Sequence, residues 1–244
     1  MKQKMQMYKT RMRLALLIIG FATLVSCNSE KNVIDISNFY YKLSDFETPK
    51  VFQFKVVDEG KQMFTYSKQV KLNDTDLLIE QYNDSLNLIY KAIYAFCADG
   101  IKYKDVWLPN KRNNGNLDKM DIIDSLVFSF DLKKSSFENK KVVNLPEDVK
   151  LTEIITHSLS IPRDTLINGH RTRVLYSNVI RKQILAFTKL PLISKEKVSK
   201  DRVVYVENKG LICTISEKEN GGICTREFTK IISVEEFENL YNAR

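Results

Sequence analysis

The chain has 244 residues, with 38 lysines and arginines against 30 aspartates and glutamates, and a formal net charge of +8. Five of the positive charges lie in residues 1–13, so the rest of the chain carries a net charge of only +3. This charge excludes the clustered basic surface of a typical nucleic-acid-binding protein, and it also excludes the class of acidic, aromatic-poor disordered chains.

Residues 1–26 have the layout of a secretory signal peptide. A basic segment without acids, MKQKMQMYKTRMR, precedes the apolar or small residues LALLIIGFATLVS. This apolar run is too short for a stable membrane span, which needs about 20 residues. Val25 and Ser26 are small enough to let an extended backbone enter a peptidase site. We therefore predict export.

The stretch Leu24-Val25-Ser26-Cys27 resembles the lipobox of bacterial lipoproteins. The resemblance implies a diacylglycerol on the sulfur of Cys27, cleavage before this residue and acylation of the new amine. The alternative is an ordinary signal peptide or short anchor with an incidental Cys27. The resemblance also implies a location in the bacterial cell envelope, with the membrane as a partner through the lipid. Asn28 favours the outer membrane, because an aspartate at that position favours the inner one.

After the leader we expect a lipidated polar tether over residues 27–38 and a β-rich globular domain over residues 39–244. Alternation with a period of two begins after Pro49 and places Phe52, Phe54 and Val56 on one strand face. The next segment places a second apolar set on one face, Phe64, Tyr66, Val70 and Leu72. Turns are predicted at DEGK (58–61) and NDTD (73–76).

Three further strands are predicted before residue 133. They are LNLIYKAIYAFCA (86–98), IKYKDVWL (101–108) and IIDSLVFSFDL (122–132). Asp99-Gly100 joins the first two in a hairpin, and alternation places Ile101, Tyr103 and Trp107 on one face. Residues 133–150 are rich in lysine, serine and asparagine, so we expect a long loop or a soft boundary between two halves.

The second half of the chain continues the strand pattern and ends in a helix. Strands are predicted near 151–160, 164–167, 170–180 and 182–189, and then at RVVYVENKG, LICTISE and ICTREFTKII. Poor alternation over 180–193 leaves a helix open there. Ser233 and Glu236 form an S-x-x-E capping box ahead of an apolar stripe that includes Phe237, which predicts a helix over 233–241.

These elements predict an all-β or β-dominated α+β fold. We expect a curved, mainly antiparallel sheet, as a half-barrel or a sandwich, with a C-terminal helix. The order of leader, tether, long meandering strands and VVYVENKGLI resembles envelope lipoproteins built on a strongly curved half-barrel sheet, such as the lipoprotein-carrier proteins of the LolA/LolB type. The resemblance implies a fold and does not imply an activity.

No sequence motif names an enzymatic activity, a metal site or a cofactor. The sequence contains no HExxH, CxxC, GxSxG, P-loop or GxGxxG pattern. We expect His157 and His170 to be ordinary strand or turn residues, although a triad can assemble from distant positions. The basic group Arg163, His170, Arg171 and Arg173 is expected to form a solvated face. The aromatic stripes are expected to form the core, with an apolar ligand groove as the alternative.

Cys213 and Cys224 lie on two strands that are predicted to pair. A loop centred near residues 217–220 would place them opposite each other, within reach of a disulfide in an oxidising compartment. A two-residue Asn220-Gly221 turn would instead place Cys224 opposite Glu217. The turn therefore decides whether this disulfide forms.

The sequence as a whole predicts a membrane-anchored, non-enzymatic envelope lipoprotein that binds a partner protein or an apolar ligand. A carrier or chaperone for lipid or lipoprotein is the first alternative, and a continuous aromatic cavity would favour it. An envelope hydrolase is the second, and a serine or carboxylate facing His157 or His170 in a cleft would favour it. Neither a cofactor nor a nucleic acid is expected.

Overall fold

The computed structural model describes residues 34–109, 117–145, 148–167, 169–187, 190–218 and 220–243. The strands are β1 (Lys50–Asp58), β2 (Lys61–Lys71), β3 (Asp76–Tyr82), β4 (Leu88–Cys97), β5 (Gly100–Pro109), β6 (Leu117–Lys119), β7 (Asp121–Asp124), β8 (Leu126–Ser129), β9 (Ser136–Leu145), β10 (Val149–Leu159), β11 (Arg163–Ile167), β12 (His170–Phe187), β13 (Leu190–Val206), β14 (Gly210–Glu217) and β15 (Ile223–Ile232). The described residues also contain one α-helix, α1 (Val234–Asn242), and the 3-10 helices Ser37–Phe39, Leu43–Phe46 and Leu132–Lys134.

The strands form one antiparallel sheet that curves until its two ends nearly meet. The strand order is β6-β5-β4-β3-β2-β1-β15-β14-β13-β12-β10-β9-β7, with β8 beside β5 and β11 beside β12. β6 and β7 occupy opposite ends of this order, yet only Met120 separates them in the chain. Met120 is buried, and its N–H donates to the carbonyl of Val106 over 2.9 Å. The predicted β-dominated, curved antiparallel sheet with a C-terminal helix is confirmed.

The first and last strands of the chain are neighbours in this sheet. β1 pairs with β15 from Val51 opposite Ile232 to Asp58 opposite Cys224, with one bulge at Gln53 and Phe54. On β1, Phe52 and Phe54 are buried on the concave side, as the alternation predicts. The two termini of the domain therefore meet along one seam.

Helix α1 covers an apolar patch on the convex side of β1, β2 and β15. Phe237 is buried against Tyr66 and Tyr82, with ring centroids 5.5 and 5.1 Å away. The Ser233 hydroxyl accepts a hydrogen bond from the N–H of Glu236 over 3.0 Å, which confirms the predicted start of the helix. The helix explains why part of the predicted apolar face of β2 points away from the concave side.

Residues 34–46 pack on the concave side of the sheet. Ile36, Phe39 and Phe46 are each at most 1% exposed and belong to the main core. The N–H of Ile36 donates to the carbonyl of Phe130 over 2.9 Å. Residues 34–38, which the sequence analysis placed in the tether, thus contribute to the folded domain.

The expected loop or boundary at 133–150 is wrong, because β9 occupies most of it. β9 pairs with β10 continuously from Ser136 opposite Ser158 to Leu145 opposite Val149. Asn139 and Lys141 are buried on this strand, at 0% and 1% exposure. Because polar residues occupy buried positions of β9, its sequence lacks the apolar alternation from which a strand is predicted.

Two smaller expectations also need correction. The segment 180–193 contains no helix among its described residues, because β12 continues to Phe187 and β13 begins at Leu190. In β5, the register against β4 shifts between Ile93 and Tyr94. This bulge moves Val106 to full burial and turns Trp107 to the opposite face from Tyr103, contrary to the alignment expected from strict alternation.

Candidate functional site

A cavity of about 400 Å³ lies on the concave side of the sheet. Alternate residues of most strands face it, for example Val203 and Tyr205 on β13 and Cys224 and Arg226 on β15. Its apolar wall contains Phe54, Val56, Ile79, Val127, Ile155, Val179 and Leu211. The volume falls within the range of about 300–1,000 Å³ that is usual for small-molecule sites in proteins.

Five tyrosines give the cavity an aromatic lining: Tyr40, Tyr41, Tyr94, Tyr103 and Tyr205. The rings of Tyr94 and Tyr103 are 5.3 Å apart at their centroids, and those of Tyr40 and Tyr41 are 5.5 Å apart. The Tyr41 hydroxyl donates to the carbonyl of Leu211 over 3.2 Å. Burial raises the pKa of each tyrosine above its ordinary value, so the phenols stay neutral at physiological pH.

Arg226 brings a positive charge into this lining. Its guanidinium carbon lies 3.9 Å from the ring centroid of Phe54. Its Nε atom is buried and has no hydrogen-bond partner among the described residues. Burial lowers the pKa of Arg226 to about 10, with the neighbouring Tyr41 opposing the shift, so the side chain remains charged at neutral pH.

A second set of charged groups lies where β9, β10 and β12 run side by side. Lys141 Nζ is 2.8 Å from Glu153 Oε2 and 4.4 Å from the ring centroid of Tyr103. Arg181 Nε lies 3.7 Å from Glu153 Oε1, and Gln183 donates to the same oxygen over 3.1 Å. Burial favours the neutral acid, but Lys141 and Arg181 outweigh it and hold the pKa of Glu153 below its ordinary value.

His157 faces the cavity but has the partners of a structural residue. Its Nε2 is 3.3 Å from the amide nitrogen of Asn139, which can only donate, so this ring nitrogen acts as the acceptor. The ring stacks on Phe137 with centroids 4.7 Å apart. Burial, Arg181 and Lys141 lower the pKa of His157 to about 4. The described residues place no serine hydroxyl or carboxylate in hydrogen-bond contact with this ring.

The residues of the predicted basic group lie outside the cavity. His170 is exposed at the start of β12, beside the turn from β11. Arg171 forms an exposed ion pair with Asp164, at 2.5 Å, and Arg163 stacks over Tyr176 at 4.7 Å. These residues are solvated, as expected.

Neither of the two registers considered for Cys213 and Cys224 is found. Cys213 lies opposite Glu227, and Cys224 lies opposite Ser216, because the connection spans residues 218–222. The offset of three residues is about 10 Å along a strand and places the two side chains on opposite faces of the sheet. Cys224 lines the cavity, and both thiols are free. The turn is longer than both turns considered from the sequence.

Cys27, the predicted lipidation site, lies outside the described residues.

Sequence analysis did not single out Arg226 as a site residue. A signal was present in ICTREFTKII, because alternation places Cys224, Arg226 and Phe228 on one face. An arginine between apolar residues on the buried face of a strand is uncommon and marks a position with a specific partner or function.

Among the described residues, no helix combines the length and apolar character needed to cross a membrane. Likewise, no group of three or more metal-ligating side chains is found in these ranges.

Comparison with known proteins identifies no family and one similar solved structure. No protein-family model matches the chain, and no curated protein matches it. Among solved structures, the chain is similar to a protein from Parabacteroides distasonis described as a "putative lipoprotein", with a TM-score of 0.44 and 12% identity. The similarity covers 80% of this chain and 98% of the other. At this level it carries no functional argument, so the function must be argued from the site.

Proposed function

We propose that this protein is a lipid-anchored, non-enzymatic protein of the bacterial cell envelope whose curved sheet binds a small apolar ligand. The cavity on the concave side is the observation that carries the proposal. The space of about 400 Å³ is lined from most strands of the sheet and falls within the usual size range of small-molecule sites. The tyrosines and aliphatic side chains of the wall offer an apolar ligand a surface to pack on, and polar side chains such as Ser67, Gln69 and Gln81 can orient it.

The location in this proposal depends on the first 28 residues. The basic segment, the apolar run and the lipobox follow one another in the order that lipoprotein export requires. Dual acylation at Cys27 would give stable anchoring, whereas a single acyl chain binds membranes only marginally. Asn28 favours the outer membrane as the site of anchoring.

The environment of His157 supports a binding role over hydrolysis. A general base works best when its pKa is near the operating pH. A histidine with a pKa of about 4, hydrogen-bonded to an amide and stacked on Phe137, is a weak base at pH 7. This favours a protein that holds its ligand without transforming it.

A carrier for lipid is the second candidate, and the aromatic lining of the cavity favours it. A carrier must release its ligand to an acceptor, whereas a receptor or sensor retains it. Timed transfer of a fluorescent fatty acid from the full chain to acceptor vesicles distinguishes the two. Transfer faster than spontaneous dissociation from a lipid bilayer supports the carrier.

The binding proposal is tested by filling the cavity. Thr214 on β14 faces the cavity, and Thr225 on the neighbouring β15 points to the opposite side of the sheet. Full-length protein in phospholipid nanodiscs is titrated with 1-octanol, and binding is measured by saturation-transfer NMR against empty nanodiscs. We expect Thr214→Trp to weaken binding at least tenfold and Thr225→Trp to leave it unchanged.

Circular dichroism and thermal melting of both variants check that the fold is retained. If Thr214→Trp does not fold, the smaller Thr214→Leu takes its place. Octanol binding that is unaffected in a folded cavity-filling variant, or absent in the unmodified chain, would contradict the proposal.

A further inference from the structure

We infer that the cavity selects an anionic amphiphile, a molecule with one acidic group that pairs with Arg226 and an apolar body that packs on the tyrosines. This inference rests on the proposed binding function and adds the chemical class of the ligand. It depends on the position of Arg226, which forms no ion pair among the described residues, within a lining rich in tyrosines.

Arg226 is well placed to meet a ligand. Its guanidinium carbon lies 3.9 Å from the ring centroid of Phe54, which is a cation–π contact. The Nε donor is buried without a partner, and the described residues contain no carboxylate within 4.0 Å of this guanidinium. A buried donor of a charged group is costly to leave without an acceptor. A ligand anion would supply this acceptor.

The cavity lining contains two further charged side chains, Arg181 and Asp201. Arg181 is already paired with Glu153, which in turn is paired with the buried Lys141. Asp201 also lines the cavity, two residues along β13 from Val203. Asp201 forms no ion pair with Arg226, because Arg226 faces Thr214 and Asp201 faces Ser216 in adjacent rows of the sheet. Arg226 is thus the cation available for an incoming anion.

The chemistry of arginine favours a carboxylate or a phosphate over a neutral hydroxyl. The guanidinium is planar and presents several N–H donors that match the two oxygens of such a group. The tyrosines and aliphatic residues around it give the remaining part of the ligand an apolar surface. A medium-chain carboxylate satisfies both requirements and is the probe we choose.

The test compares three eight-carbon probes that differ only in the head group: octanoate, 1-octanol and octylammonium. Each is titrated at pH 7 into full-length protein in phosphatidylcholine nanodiscs, with empty nanodiscs as the reference. An additional arm with octyl phosphate distinguishes a carboxylate preference from a general preference for anions. The variants are Arg226→Gln, Arg226→Lys and the control Arg202→Gln, which removes an exposed arginine from β13.

We expect octanoate to bind about ten- to hundredfold more tightly than 1-octanol, the range for one charge-assisted contact. Arg226→Gln should abolish this preference, measured as the ratio of octanoate to octanol affinity in the same variant, Arg226→Lys should retain part of it, and Arg202→Gln should retain all of it. Equal binding of octanoate and octanol to the unmodified chain, or a preference that survives Arg226→Gln, would overturn the inference while the proposed function stands. Absence of binding by all probes would overturn the proposed function itself.

Discussion

The buried Lys141–Glu153 pair offers the sharpest test of the energetics of this fold. The two side chains are 1% and 12% exposed, and their charged atoms are 2.8 Å apart. Replacing Glu153 with glutamine keeps the shape and one hydrogen-bond acceptor but removes the negative charge. Lys141 is then a buried cation without a counterion, beside the further positive charge of Arg181.

The expected cost follows from burial. Breaking a buried pair by removing one charge typically costs about 3–5 kcal/mol, because the remaining charge stays desolvated. A matched control is present on neighbouring strands, where Lys182 and Glu196 are also 2.8 Å apart but are 39% and 47% exposed. Glu196→Gln should cost about 0.2–1 kcal/mol, the usual value of an exposed pair.

Urea unfolding followed by linear extrapolation measures both variants against the unmodified protein. We expect Glu153→Gln to lower the free energy of unfolding by about 3 kcal/mol more than Glu196→Gln. The double variant Lys141→Met with Glu153→Leu should recover most of the loss, because a buried ion pair is often replaceable by apolar residues of similar volume. If the two single variants differ by less than about 1 kcal/mol, the argument from burial is refuted.

Three further outcomes are expected. Labelled palmitate should be incorporated into the unmodified chain and Cys97→Ser but not into Cys27→Ser, and equal labelling of all three would disprove lipidation at Cys27. Ser233→Ala should lower the free energy of unfolding by about 1 kcal/mol through loss of the helix cap, and an unchanged urea midpoint would count against this. Stability should fall as the pH decreases from about 6.5 towards 4, because the unfolded chain protonates His157 before the folded one does; a pH profile identical in His157→Gln would exclude this cause.

The local elements of the fold were largely predictable, because hydrophobic alternation and turn residues act over short distances. Phe52 and Phe54 alternate clearly and are buried as predicted, and Ser233 caps its helix. The position of β9 was not predictable from apolar alternation, since Lys141 and Asn139 occupy buried positions whose partners come from β10 and its neighbours. Such residues satisfy their polar groups only through contacts distant in sequence.

The candidate site was harder to predict for the same reason. The cavity depends on which face of each strand becomes concave, and α1 decides this for β2 by covering Tyr66 from the other side. The polar residues Ser67 and Gln69 of that strand consequently face the cavity. A bulge in β4 and β5 and the five-residue connection before β15 likewise shift side chains in ways that alternation alone does not reveal.

The seam between β1 and β15 has a consequence for how the protein folds. Val51 and Ile232 are paired although nearly the whole domain lies between them in the chain. Contacts of such large sequence separation slow folding, because the entropy of closing the chain is lost before the contacts form. The sheet cannot close until the last strand has been synthesised. A nascent chain therefore keeps an open sheet throughout translation, and β1 stays without its β15 partner until synthesis ends.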